Sequence, residues 1–259
     1  MMTLDDMTAR FSAHTTVEGV VLVGSGGRGE LTAGSDYDVL VVLSNNPVPI
    51  SLILTTIDGR VAEVVFQTTD EIERLAVGIA TIRDASADGG TAHRFANGRI
   101  LFDRVGRLAC ARAAIRAAMP LIMATEAEQY AAWFNVNYDL RMLKYILRAD
   151  DPVHRLAVDY RLLAMLSDLW PCYFTVRRLA WRGGKSAIRH FSDHDPNFLT
   201  LFRACLAETD RTRKVEMYEE LARRAVMPVG ELWAEDATVA DGTPEIVEDA
   251  LDFWAQLLR

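Results

Sequence analysis

The first 118 residues are built of short apolar runs cut by glycine, proline and asparagine, and the remainder follows a helical period. Leu4 to Ala13 reads as a short helix. The apolar run Gly19 to Val23 reads as a strand, Arg28 to Thr32 as a helical turn, and Tyr37 to Leu43 as a second strand. "NNPVP" breaks the chain, "ISLILTTI" fits strand or helix, and "DGR" marks a turn. "VAEVVFQT" is rich in β-branched residues and reads as the next strand. Thr69 or Asp70 is expected to cap a helix from Glu71 to about Ile82, followed by a loop at "DASADGG". "GRILFD" then reads as a short strand and "VGRLACARAAIRAAM" as a helix.

Beyond Pro120 the strand signals stop. Thr125 with Glu128 three residues on forms a capping box, opening a helix that carries Tyr130, Phe134, Tyr138, Met142 and Tyr145 at helical spacing. Asp151-Pro152 is an N-cap followed by proline at the first helical position, and Pro171 is expected to end or kink that helix. Further helices are expected from about Lys185, from Pro196, from Arg213 and, with Thr243-Pro244 as cap and first residue, to the C-terminus. An α+β domain over residues 1–118 followed by an all-helical domain over 119–259 is the expected layout.

Composition narrows the partners. The chain has 259 residues, half of them hydrophobic, with a formal net charge of −8. Duplex nucleic acid is therefore not expected, because its binders carry a basic face that neutralises phosphates. No apolar run reaches the ~18 residues that span a bilayer, so no membrane partner is expected. The N-terminus "MMTLDDMTAR" lacks a signal peptide's basic start and apolar middle. Cys110, Cys172 and Cys205 fit neither a disulfide framework nor a zinc spacing, which makes a cytoplasmic setting the simplest expectation.

The candidate chemistry lies at "GSGGRGELTAGSDYD", residues 24–38. Two strand signals bracket a glycine-rich connection, and the second opens on Asp36 and Asp38. Residues two apart on a strand face the same side. Two carboxylates held that close repel each other unless a cation lies between them. Oxygen pairs suit Mg²⁺, which binds through one or two carboxylates and completes its shell with phosphate and water. The glycine turn adds bare amides and Ser25 a hydroxyl, as a triphosphate site requires. A lone D-x-D is as readily a turn residue followed by an exposed strand position. The glycine-serine turn, Arg28, Ser35 and the flanking strands, all present together, favour the site.

"GSGGRGELTAGSDYDVLVVL" resembles the signature of the DNA polymerase beta-type nucleotidyltransferase superfamily. Among its members, the small stand-alone bacterial enzymes, including aminoglycoside nucleotidyltransferases, are the most similar. The resemblance implies a nucleotidyltransferase-type mixed sheet with flanking helices, then a helical domain that closes the active-site cleft. It also implies a third acidic residue on a neighbouring strand. Glu63 in "RVAEVVFQ" takes that place, as a ligand of metal or as the base that takes the acceptor's proton; the family position is often Asp. By the same resemblance, Gly24 and Ser25 would hold the β- and γ-phosphates, with Arg28 near them or stabilising the loop, and Ser35 would belong to the nucleotide site. Asp36 and Asp38 would hold two Mg²⁺, with Glu63 on the ion that activates the acceptor. "NGRILFDRVGRL" is similar to the family's last catalytic strand and the turn after it, with Asp103 a structural turn residue.

In the helical part, "WRGGKSAIRHF" puts Lys185 at a helix start, similar to W-x-G-x-K stretches in related enzymes, where a lysine contacts the triphosphate. A solvated helix-start lysine is the alternative. Lys144 is its rival for the contact, on a face shared with Arg141 and Arg148 that reads as solvated. Arg189 and His194 match a loose pattern of helical RNase domains, but straddle an expected helix end at "HFSDHDP". The expected activity is Mg²⁺-dependent transfer of a nucleoside monophosphate, from ATP or another nucleoside triphosphate, to a hydroxyl. The acceptor is an aminoglycoside-like small molecule or a protein. The alternative is a regulatory or antitoxin-type binding module of the same fold. RNA end addition is disfavoured by the lack of a basic surface.

Overall fold

The computed structural model describes residues 1–119, 121–242 and 244–258. The chain divides into two compact units, Met1–Ile122 and Met123–Arg259.

The first unit is a mixed five-stranded sheet with helices on both faces. In chain order it contains α1 (Leu4–Ala13), β1 (Val17–Val23), α2 (Gly24–Gly27), β2 (Tyr37–Leu43), β3 (Leu52–Ile57) and β4 (Arg60–Thr68). α3 (Thr69–Gly78), α4 (Ala87–Asn97), β5 (Arg99–Asp103) and α5 (Arg107–Ala117) follow. The strand order is β3-β4-β2-β1-β5, with β2 and β4 parallel and the other pairs antiparallel. Alternation along the strands sorts the core into two layers. Val20, Leu22, Tyr37, Val39, Val41, Ala62 and Val64 pack with Leu4 and Met7 of α1. Val21, Val23, Leu40 and Val42 pack with Ile72 and Leu75 of α3, Phe95 of α4, and Leu108 and Ile115 of α5.

Local signals explain most of these elements. α1 opens on a reciprocal capping box between Thr3 and Asp6. "DGR" is a two-residue hairpin between β3 and β4, with Asp58 at φ 50° and Gly59 at φ 74°, the left-handed pair that a type I′ turn requires. "ISLILTTI" is therefore a strand, and it forms the sheet edge.

Three expectations in this unit are corrected. The helical turn of the glycine loop is Gly24–Gly27, not Arg28 to Thr32. Thr68, not Thr69 or Asp70, caps α3, in a capping box with Glu71; α3 ends at Gly78 and a 3-10 turn, Ile79–Thr81, follows. "DASADGG" is not all loop, because its last four residues are the first turn of α4. Ser86 caps that helix by accepting from the Gly89 amide at 3.0 Å. Gly89 fits there because a Cβ would collide with the carbonyl oxygens of Arg83 and Asp84. Loop composition thus disguised a helix N-terminus.

The second unit is helical: α6 (Glu126–Leu147), α7 (Pro152–Val176), α8 (Gly184–His194), α9 (Pro196–Ala207), α10 (Arg211–Val226) and α11 (Pro244–Leu257). The Thr125–Glu128 box and the Asp151 cap are both present. Thr243 lies outside the described residues. α7 continues through Pro171 to Val176, since Leu166, Leu169, Cys172, Tyr173 and Phe174 bury on either side of the proline. α10 starts two residues earlier than expected, capped by Asp210. No helix among the described residues is long and apolar enough to cross a membrane.

Candidate active site

β1 delivers the chain into the glycine turn, and β2 carries it away beside β1. Val23, the last residue of β1, faces Asp38 across the antiparallel ladder. On the other side of β2, Asp38 is the in-register partner of Glu63 on parallel β4. Neighbouring strands lie about 4.8 Å apart, and paired residues share a face. Asp38 and Glu63 are therefore side by side on the face that carries Leu40, Val65 and α3 to α5. Asp36 immediately precedes β2, and all three acids are partly buried.

Gly24 is the first residue of α2 and has φ +60°, a conformation that costs a side chain about 1–2 kcal/mol. A Cβ at Gly24 would also overlap Oδ2 of Asp38, so that carboxylate lies directly against the glycine backbone. The sheet thus brings together Gly24, Asp38 and Glu63, with Ser25 the next residue of the same turn.

The rest of the loop is held from inside. Ser35 Oγ accepts from the Thr32 amide at 2.9 Å. Arg60, the first residue of β4, donates to the Ser35 carbonyl at 2.9 Å and also to that of Thr32. Arg28 is exposed and donates through Nε to Glu30 at 3.0 Å. Tyr37 donates to Asp58 at 3.3 Å, and burial, then the Asp58 carboxylate, push its phenol above the usual range. Reading the sequence missed Arg60, whose "DGR" context marked a turn and nothing more. It also missed Thr91 and Arg94 of α4, which line a small cleft with Asp38, Val65 and Gln67.

Among the described residues, no three His, Cys, Asp or Glu side chains form a ready-made metal cage. Asp103 accepts from the Leu108 and Ala109 amides at 3.4 and 2.9 Å, the structural role expected of it.

Lys185 is the second residue of α8 and is exposed. The face of α6 that read as solvated carries defined partners. Lys144 pairs with Glu219 at 2.7 Å, and Arg141 donates to the carbonyls of Ala234 and Ala237 at 2.8 Å. These residues, with Tyr145, Arg148, Trp233 and Glu235, line a cavity of about 230 Å³ within the second unit. Arg189 and His194 both lie on α8, which ends at His194, so the expected break between them is absent. His190, on the same helix, is pushed below the usual imidazole range, mainly by burial.

Residues 3–81 match the family described as the nucleotidyltransferase domain. No curated protein matches the chain. Among solved structures, a nucleotidyltransferase-like protein from Exiguobacterium sibiricum aligns over 86% of this chain and 73% of its own, at 14% identity and a TM-score of 0.44.

Proposed function

We propose that the protein transfers a nucleoside monophosphate from a nucleoside triphosphate, ATP in the first instance, to a hydroxyl of a small-molecule or protein acceptor. The observation that carries this reading is the in-register pair of Asp38 and Glu63, with the Asp38 carboxylate against the Gly24 backbone. In this reading the acceptor oxygen forms a bond to the α-phosphorus while the bond from that phosphorus to the oxygen bridging to the β-phosphate breaks. Pyrophosphate leaves with the bridging oxygen, and the acceptor's proton passes to a carboxylate or to water.

The residues present fit divalent cations. Their donors are hard carboxylate oxygens, two of them on neighbouring strands, and Mg²⁺ needs only one or two carboxylates when phosphate and water fill the rest of its shell. Asp36 and Asp38 would hold two ions, with Glu63 sharing the one nearer the acceptor. Mg²⁺ there would lower the acceptor hydroxyl's pKa and neutralise charge on the leaving pyrophosphate. Gly24 and Ser25 would contact the phosphates through backbone and hydroxyl. Ser35, tied to Thr32 and braced by Arg60, would keep the loop that leads into Asp36 in place. Arg28, tethered by Glu30, would stabilise the loop more than it neutralises phosphate. Lys185 is retained as a candidate contact for the triphosphate.

The test incubates the purified protein with α-labelled nucleoside triphosphates, Mg²⁺ or EDTA, and panels of aminoglycosides, proteins and RNAs. The expected result is label transferred to one acceptor class with stoichiometric pyrophosphate, abolished by EDTA and by Asp36→Asn. Nucleotide binding with no transfer to any class would favour the alternative, a regulatory or antitoxin-type module.

A further inference from the structure

Arginine is the natural partner of phosphate, and the loop's own arginine is committed elsewhere. Arg28 is held by Glu30 at 3.0 Å. Arg60 spends its guanidinium on the carbonyls of Thr32 and Ser35. A third arginine, Arg94, lies on α4 and lines the cleft that Asp38 also lines. Arg94 is exposed and makes no hydrogen bond or ion pair with any described residue. It thus shares a cleft with Asp38 without an ion pair to it. A guanidinium left unpaired beside the Asp38 carboxylate suits an anion that arrives later.

The cleft also limits what can enter. Its volume is about 30 Å³, enough for a water or a single oxygen and far too little for a nucleobase or a sugar. Thr91, one turn before Arg94 on α4, offers a hydroxyl to the same space. Gln67, which also lines the cleft, has a buried Oε1 that accepts no hydrogen bond from any described residue, so it calls for a donor such as a water.

We propose that Arg94, assisted by Thr91, is a phosphate-binding residue that grips the outer phosphates of the nucleoside triphosphate beside Asp38. This rests on the nucleotidyl-transfer reading of the site. It adds a positive contact from a helix outside the matched residues 3–81. Mg²⁺ at the carboxylates and the guanidinium of Arg94 would then flank the same phosphate chain, and charge on departing pyrophosphate would be met on both sides.

Binding of inorganic tripolyphosphate, pyrophosphate and orthophosphate, each with Mg²⁺, tests this by calorimetry without presuming a base. The proteins compared are the wild type, Arg94→Ala, Arg94→Lys and Asp38→Asn. Arg94→Ala is expected to weaken tripolyphosphate by about tenfold or more, as loss of a charge-assisted contact does. Pyrophosphate should weaken less and orthophosphate hardly at all. Arg94→Lys should recover part of the loss, added salt should narrow it, and the melting temperature should stay at the wild-type value because the side chain is exposed and unpaired. Equal tripolyphosphate affinity in wild type and Arg94→Ala, with affinity lost in Asp38→Asn, would overturn the role of Arg94 and leave the carboxylate site standing. An equal loss for all three anions would also overturn it, pointing to a disturbed fold. No binding of any phosphate by the wild type would overturn both readings.

Discussion

At Gly24 two constraints coincide, a backbone at φ +60° and the Asp38 carboxylate against the position a Cβ would take. Gly24→Ala must therefore shift the turn, the carboxylate or both. The strained backbone costs about 1–2 kcal/mol. The larger effect should fall on chemistry, since metal and phosphate contacts need their groups placed within about half an ångström. The expected outcome is a folded protein with a slightly lowered melting temperature and transfer reduced by roughly a hundredfold or more. Near-wild-type turnover would show that Asp38 does not work from its place beside this glycine. The place of Asp38 on β2 was legible from the strand signal that follows the glycine turn, and that of Glu63 on β4 from the next strand signal; the roles of both belong to the proposed function. Arg60 and Arg94 were not legible. An arginine in a turn or on a helix carries no spacing that says what it faces, and only the fold brings Arg60 to Ser35 or Arg94 to the cleft of Asp38.

Helix starts were the most legible elements where the cap is a side chain in the standard place. Thr125 with Glu128 and Asp151 with Pro152 each marked a start correctly. α4 escaped notice because "ADGG" contains two glycines and an aspartate, the composition of a loop. What overrides composition is the Ser86 cap together with the room that Gly89 leaves for the carbonyls of Arg83 and Asp84. Ser86 Oγ also donates to the Arg83 carbonyl at 2.7 Å. Ser86→Ala should therefore cost about 1 kcal/mol, read as a lower midpoint in urea. Because α4 carries Thr91 and Arg94, phosphate affinity should fall with it. An unchanged midpoint would mean that burial of Ala92, Phe95 and Ala96 alone holds α4. The proline in α7 teaches the opposite lesson. Pro171 was expected to end or kink that helix, yet apolar residues on both sides bury in the helical core and carry it on to Val176.

Over the whole molecule, the switch from strand signals to helical periods was plain in the sequence, while the placement of surface charges was not. Lys144 and Arg141 read as solvated and instead hold Glu219 and the carbonyls of Ala234 and Ala237. The three cysteines report on both units. Cys110 is exposed, whereas Cys172 and Cys205 are buried. A thiol reagent should titrate one group quickly in the native protein and three in denaturant; rapid reaction of all three in native buffer would contradict the packing. Burial pushes the Cys172 thiol up from 9.0 to about 12. Below the lower value both states keep the proton, so this thiol adds no pH dependence there. Between the two values the unfolded chain ionises and the folded one does not, so its contribution makes stability fall as pH rises through that window. Cys172→Ala should flatten that slope, and an unchanged slope would count against the burial. The central claim, a metal-dependent nucleotide site at Asp36, Asp38 and Glu63, is tested most directly by calorimetric binding of the α,β-methylene analogues of the four ribonucleoside triphosphates. Each is titrated with Mg²⁺ and with EDTA, into wild type and Asp38→Asn. The account predicts that at least one analogue binds the wild type with Mg²⁺, and that binding drops by about tenfold or more on chelation or in Asp38→Asn. Affinity that is the same with and without metal, and the same in both proteins, would contradict it.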